Sequence, residues 1–291
     1  MPSPIVYLNG RYVAADQASV SVFDHGLLLG HGVFETMRAY GGAVFRIDEH
    51  LARLVRGAEE VGILLGGERS ALEQAVTGVL QANRLADARV RLTVTAGPGP
   101  GRPVFPATGQ PTVIVTAEEM PPPPKTYEHG YRVIVASRTR SSQSALAAIK
   151  STSFLENLLA RADAQVRGAD EAIILNEQRC VAECSQANVF FVQRARLLTP
   201  APECGILRGI ARETVIQLAT DAGMSVEQTW ITMEEMAEAS EAFATSSMIE
   251  VMPVTTIDGR PVGDGRPGEV TRLLARAYRD LVAHELGLGR R

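Results

Sequence analysis

Apolar residues recur along the chain at two periods. Short apolar stretches flank Asn9-Gly10 between Ile5 and Val13, and that pair favours a tight hairpin turn. From Asp48 the period becomes helical. Leu51, Leu54, Val55, Ala58 and Val61 share one face, with Asp48 expected as the cap. A second helical face follows in Leu72, Ala75, Val76, Val79 and Leu80. Arg89 to Thr95 then alternates, with Val90, Leu92 and Val94 on one side and Arg91, Thr93 and Thr95 on the other. That pattern predicts a half-buried strand. Gly97-Pro98-Gly99-Pro100-Gly101 breaks it, and a strand resumes over Thr112 to Thr116.

Pro121 to Pro124 can neither pair in a sheet nor continue a helix. It predicts a linker over 121–130, dividing an N-terminal α+β domain (1–120) from a C-terminal domain (131–291). Beyond it the pattern predicts strands at Tyr131–Ala136, Ala172–Leu175, Asn188–Val192 and Glu241–Thr245, and helices at Phe154–Val166 and Arg208–Ala222. A turn at Ile257-Asp258-Gly259-Arg260 precedes a closing helix over Glu269–Leu286. No internal repeat is visible. The fold class is α+β in two domains.

Composition narrows the partners. Hydrophobic residues make up 45% of the 291 and charged residues 21%, enough apolar material for a sizeable core. A net charge of -4 argues against nucleic acid or an anionic membrane as main partner. No apolar run reaches membrane-spanning length, and Met1-Pro2-Ser3-Pro4 lacks the basic and apolar regions of a signal peptide, so a cytoplasmic location is expected. Cys180, Cys184 and Cys204 are too sparse for a disulfide framework and lack the second pair of a metal site; no metal is expected.

Several common chemistries fail on single residues. Ile149 stands where a phosphate-binding P-loop ending in Lys150-Ser151 needs glycine. Arg102 stands where Gly97-x-Gly99 needs its third glycine. No G-x-S-x-G elbow and no H-E-x-x-H helix occurs. What remains is a lysine at an expected strand-to-helix passage, Ala148-Ile149-Lys150-Ser151-Thr152-Ser153-Phe154. Lys125 and Lys150 are the only lysines among 29 basic residues, and Lys125 lies in the proline linker. An amine kept in an apolar stretch can be held unprotonated and nucleophilic, which Schiff-base chemistry requires.

At these residues the sequence resembles the fold-type-IV pyridoxal-phosphate enzymes, or class IV aminotransferases. These include branched-chain, D-amino-acid and R-amine transaminases and aminodeoxychorismate lyase. The resemblance runs in order through Val22-Phe23-Asp24-His25-Gly26, Gly30-His31-Gly32-Val33-Phe34-Glu35-Thr36 and Asp48-Glu49-His50-Leu51-Ala52-Arg53-Leu54. It continues through Lys150, Gly168-Ala169-Asp170-Glu171-Ala172, Glu183-Cys184-Ser185-Gln186-Ala187-Asn188, Gly205-Ile206-Leu207-Arg208-Gly209-Ile210-Ala211 and Ala244-Thr245-Ser246-Ser247. It implies an N-terminal α/β sandwich and a C-terminal pseudo-barrel that binds pyridoxal 5'-phosphate.

By the same resemblance Lys150 is the Schiff-base lysine and proton shuttle. Glu183, in the context of Ser185 and Asn188, faces the pyridine nitrogen. Arg53 binds phosphate, although spacing alone leaves Arg53 and Arg56 equal. Ile210 and Ala211 offer backbone N–H groups at a helix start, where many relatives have Thr in place of Ala211. Ser246 and Ser247 complete the phosphate side. Phe34, Arg38, Arg91 and Phe154 point toward substrate, while an exposed strand arginine is an equal reading of Arg91.

The implied reaction moves an amino group from a branched-chain or related amino acid, with R-amines as a further donor class, to 2-oxoglutarate. The alternatives are a D-amino-acid aminotransferase and aminodeoxychorismate lyase. Thr36, Leu29 and Arg89-Val90-Arg91-Leu92 depart from the branched-chain pattern. A non-catalytic ligand-binding homologue is disfavoured because Lys150 and Glu183 are both present. A homodimer or larger homo-oligomer is implied, with only small molecules as other partners.

Overall fold

The computed structural model describes residues 3–102, 104–120 and 126–289. The run Pro121–Pro124 and Lys125 lie outside the described residues. The chain forms two compact units. One comprises Met1–Pro121 with Ile149–Ser153, and the other Pro122–Ala148 with Phe154–Arg291. The Lys150 segment therefore belongs to the first unit, although it lies inside the stretch expected to form the C-terminal domain.

The first unit is a six-stranded sheet with two longer helices packed on one face and a short third helix. Its strands are β1 (Ile5–Leu8), β2 (Arg11–Ala14), β3 (Gly32–Tyr40), β4 (Ala43–Val44), β5 (Ala88–Thr95) and β6 (Thr112–Glu119), in the order β2-β1-β6-β5-β3-β4. Asn9 and Gly10, both at positive φ, close the β1–β2 hairpin as their sequence predicts. The helices are α1 (His25–Leu29), α2 (Ile47–Glu60) and α3 (Arg69–Asn83). Leu51, Leu54 and Ala58 of α2 and Ala75, Val76, Val79 and Leu80 of α3 pack with Val90, Leu92 and Val94 of β5 in one core. The sheet's other face carries Phe34, Thr36 and Arg38 opposite Thr93, Arg91 and Arg89. Asp48 does not cap α2. Arg46, in the left-handed region, is the N-cap, and Asp48 sits in the first turn, where a carboxylate complements the helix dipole.

The second unit is a nine-stranded sheet. Its strands are β7 (Tyr131–Arg140), β8 (Glu171–Asn176), β9 (Val181–Cys184), β10 (Asn188–Gln193), β11 (Arg196–Pro200), β12 (Ser225–Thr229), β13 (Glu241–Ser246), β14 (Glu250–Ile257) and β15 (Arg260–Pro261). The order is β12-β11-β10-β13-β14-β7-β8-β9, with β15 on β14. Beyond its pairing with β8, β9 lies against β10 and β11, so the sheet curls toward closure. The curl encloses Val133, Ile173, Val181, Val189, Phe191, Ala244 and Val254, forming the expected pseudo-barrel. The helices are α4 (Thr126–His129), α5 (Ala145–Ala148), α6 (Leu155–Val166), α7 (Ile210–Asp221), α8 (Met233–Ala237) and α9 (Glu269–Glu285). Helix α4 occupies the later part of the expected linker. The Lys150 segment follows the short helix α5 rather than a strand. No helix among the described residues is long and apolar enough to cross a membrane.

Candidate active site

The first unit fixes Lys150 through its backbone. The Phe34 N–H donates to the Lys150 carbonyl at 2.9 Å, and Ser151 bridges Val33. The Thr152 N–H donates to Gly32 O, and its hydroxyl to Gly30 O at 2.7 Å. A five-residue stretch is thereby laced onto the start of β3. The Lys150 Nζ stands 4.9 Å from the Phe34 ring centre, and the Arg91 guanidinium carbon stands 3.8 Å from the same ring. Burial pushes the Arg91 pKa down, and Arg89 adds to the shift. Arg38 lies on Tyr40, its guanidinium carbon 4.6 Å from that ring centre.

Beneath this segment is a buried charged cluster. Glu35, fully buried on β3, accepts two hydrogen bonds from Arg53, each 2.7 Å long, and one from His50 Nδ1 at 2.6 Å. Burial alone would raise the Glu35 pKa; the arginine and histidine together outweigh it and bring it to about 2. Burial lowers the His50 pKa, Glu35 opposes that shift, and Arg53 and Lys150 add to the lowering. His50 is therefore neutral near pH 7, so Arg53 carries the positive charge that holds Glu35 ionised. An ionised carboxylate only accepts, so the His50 proton resides on Nδ1.

The second unit arranges a carboxylate in the same deliberate way. Glu183 sits on β9, and its Oε1 accepts from Arg140 Nη1 at 2.6 Å. Its Oε2 accepts from Asn188 Nδ2 at 3.0 Å and from the Leu207 N–H at 3.1 Å. Asn188 also donates to Leu207 O at 2.8 Å. Two residues beyond Leu207, Gly209 forms the N-cap of α7 with no capping side chain. A Cβ on Gly209 would lie 2.0 Å from Asn188 Oδ1, so only glycine fits there. Ile210 and Ala211 open the helix, Ala211 buried. Across the strand pair from Asn188 stands Thr245, whose buried hydroxyl has no hydrogen-bond partner among the described residues. Ser246 and Ser247 follow it, and the Ser246 hydroxyl accepts from Ile249 N at 3.4 Å. Phe154 is the N-cap residue of α6.

An uncapped helix start next to an orphaned buried hydroxyl offers free donors that suit an anion such as a phosphate. Glu183 adds an anchored acceptor able to receive a protonated ring nitrogen. The residues present fit a phosphorylated heteroaromatic cofactor.

The first unit brings together Lys150, Phe34 and Arg91, and holds Arg53 in its cluster with Glu35 and His50. The second brings together Glu183, Asn188 and the start of α7. Glu35, His50 and Thr245 lie within the motifs quoted from the sequence but had no role assigned there, and Arg140 was not singled out. Glu35 left one signal, a charged residue on the same face of β3 as the apolar Val33, Met37 and Ala39, and His50 another, three residues before Arg53 on one helix face. Arg140 left none, because its two carboxylate partners are 16 and 43 residues away.

The family profile described as amino-transferase class IV matches residues 32–257. A putative branched-chain-amino-acid aminotransferase of Methanocaldococcus jannaschii is 38% identical over 277 residues, 95% of this chain and 96% of that one. A D-alanine aminotransferase of Bacillus licheniformis is 32% identical, covering 96% of this chain and 98% of the relative. The crystal structure of the Escherichia coli branched-chain amino acid aminotransferase superposes with a TM-score of 0.92 at 29% identity, over 97% of this chain and 96% of that one. The chain belongs to the class IV aminotransferases, enzymes that work with pyridoxal 5'-phosphate.

Proposed function

We propose that the chain moves the amino group of a branched-chain L-amino acid to 2-oxoglutarate, with Lys150 holding the cofactor as a Schiff base. The placement of Lys150 carries this reading. Its backbone is bonded to β3, and its amine lies over the same phenylalanine ring on which Arg91 stacks. An amine that can move a proton thus stands near a partly buried guanidinium that gains from a carboxylate partner.

When bound, the cofactor supplies the electron sink. Lys150 Nζ accepts the proton leaving the amino donor's α-carbon and returns it on the acceptor side. Glu183, oriented by Asn188, is assigned to the ring nitrogen. The N–H groups of Ile210 and Ala211, the hydroxyls of Ser246 and Ser247, and Arg53 are assigned to the phosphate. With Nε and Nη2 committed to Glu35, the Arg53 contribution runs through its end-on edge. Phe34, Arg38, Arg91 and Phe154 are assigned to substrate, the arginines to its carboxylate.

The branched-chain donor is supported by the names of the M. jannaschii relative and the E. coli structure. A D-amino-acid donor is the second reading, supported by the B. licheniformis relative. The test is glutamate formed from 2-oxoglutarate with L-leucine, D-alanine or R-1-phenylethylamine. L-leucine is expected to give the highest kcat/KM. Faster turnover of D-alanine would establish the second reading, and no glutamate from any donor would overturn the transfer to 2-oxoglutarate. Turnover of aminodeoxychorismate instead would favour the lyase.

A homodimer belongs to the same proposal, supported by the exposed apolar run Val22, Phe23, Leu27, Leu28 and Leu29 around α1. Asp24 fixes that run by accepting from Gly26 N, Thr95 and Thr112. A cytoplasmic location is supported by three free cysteines, Cys180, Cys184 and Cys204.

A further inference from the structure

Arg140 ends β7 with its side chain 4% exposed, bridging two carboxylates. Nη1 reaches Glu183 at 2.6 Å, and Nε reaches the half-exposed Glu156 of α6 at 2.9 Å. A purely mechanical anchor for Glu183 already exists, because Asn188 and the Leu207 N–H hold its other oxygen. What Arg140 adds is a full charge at Oε1. Burial would lower the Arg140 pKa, yet Glu183, followed by Glu156, raises it, so the guanidinium stays charged. Among the described residues, Arg212 on α7 and the Cys184 thiol also sense Glu183, and burial pushes the Cys184 thiol up and keeps it protonated.

We propose that Arg140 is a positioning residue for the reaction: by pairing with Oε1 of Glu183 it keeps that carboxylate ionised, so that the proton shared with a bound ring nitrogen stays on the nitrogen. This rests on the assignment of Glu183 to the cofactor's ring nitrogen. The physical ground is distance. Arg140 touches the carboxylate directly, and Coulomb energy falls with separation. The guanidinium therefore stabilises the anion more than it opposes positive charge on a group that the carboxylate binds. Without Arg140, a buried carboxylate and a ring-nitrogen cation can relax to the neutral pair by passing the proton to Glu183. A neutral ring is the weaker electron acceptor, so the loss falls on the proton-transfer step rather than on substrate binding.

The test uses holoenzyme loaded with pyridoxal phosphate carrying nitrogen-15 in the ring. Wild type and Arg140→Lys are expected to give a pyridinium resonance. Arg140→Met is expected to retain cofactor but move that resonance toward unprotonated pyridine. Its kcat is expected to fall about tenfold, the equivalent of one pKa unit, with KM within about twofold. If Arg140→Met does not fold, Arg140→Gln keeps a donor and removes the charge. A wild-type resonance already at the neutral position, or an Arg140→Met or Arg140→Gln resonance unchanged from wild type, would overturn the proposal. Glu183→Gln separates the two layers. If it also leaves the resonance unmoved, the assignment of Glu183 itself fails; if it alone moves it, only the role of Arg140 fails.

Discussion

The guanidinium of Arg53 meets the carboxylate of Glu35 edge to edge, with Nε 2.7 Å from Oε1 and Nη2 2.7 Å from Oε2. The pair is buried on the β3 side, and His50 completes it. Its consequence is an acid-sensitive stability. The Glu35 pKa of about 2 lies below the ordinary 4.5, so its contribution is full above about 4.5 and drains away as pH falls toward 2. The difference corresponds to about 3 kcal/mol. Glu35→Gln is expected to lower stability at pH 7 by that order and to flatten the acid limb of a melting-temperature profile. An unchanged acid limb would assign the effect elsewhere.

His50 governs a different window. Its folded pKa lies below the ordinary 6.5, so the folded state binds the proton less well than the unfolded chain does. Stability is then full above about 6.5 and declines as pH falls below it. His50→Asn should remove that decline between neutral and mildly acid pH, as read by thermal melts across the range. A mutant profile parallel to wild type there would contradict the neutral, buried imidazole.

Gly209 tests the anion cradle without touching a titratable group. A methyl there would lie 2.0 Å from Asn188 Oδ1 and displace the amide that holds both Glu183 and Leu207 O. Gly209→Ala is expected to weaken cofactor binding about tenfold or more, the order of one or two lost charge-assisted hydrogen bonds. The φ of -71° at Gly209 is ordinary for alanine, so the helix should persist. Cofactor titration by fluorescence, with circular dichroism as the control, reads both parts. Wild-type affinity in a folded Gly209→Ala protein would remove α7 from the site.

The sequence carried the helices and the alternating strand well. The faces of α2 and α3, and the buried Val90, Leu92 and Val94, match their periodicity. Two strands buried at every position, β8 and β10, still match the expected Ala172–Leu175 and Asn188–Val192 as short apolar runs. β14, buried at all but one of eight positions and containing Pro253, shows no polar side to mark its period and was not read. β3 was hidden by Glu35, whose partners lie 15 and 18 residues on. The helix over 208–222 begins two residues later than expected because Gly209 is its cap, which is what exposes the Ile210 and Ala211 N–H groups. In the candidate site, short motifs name Lys150 and Glu183, whereas the pairing of Arg140 with Glu183 and of Thr245 with Asn188 emerges only when distant strands come together.

The exposed run around α1 predicts the assembly. Leu27 is 69% exposed and Phe23 65%, an unusual cost in water for neighbours of this size. Sedimentation should show wild type as a dimer or larger, and Leu27→Asp should shift it toward monomer with the fold retained. A monomeric wild type at micromolar concentration would contradict the assignment of this surface.

Lys150 is assigned as the residue that binds the cofactor covalently, and the chain contains only Lys125 beside it. Borohydride reduction of the cofactor-loaded protein followed by peptide mass spectrometry reads this directly. The phosphopyridoxyl mass is expected on the Lys150 peptide, and the visible absorption band should be absent in Lys150→Ala. Label on Lys125, or no stable label after reduction, would contradict it.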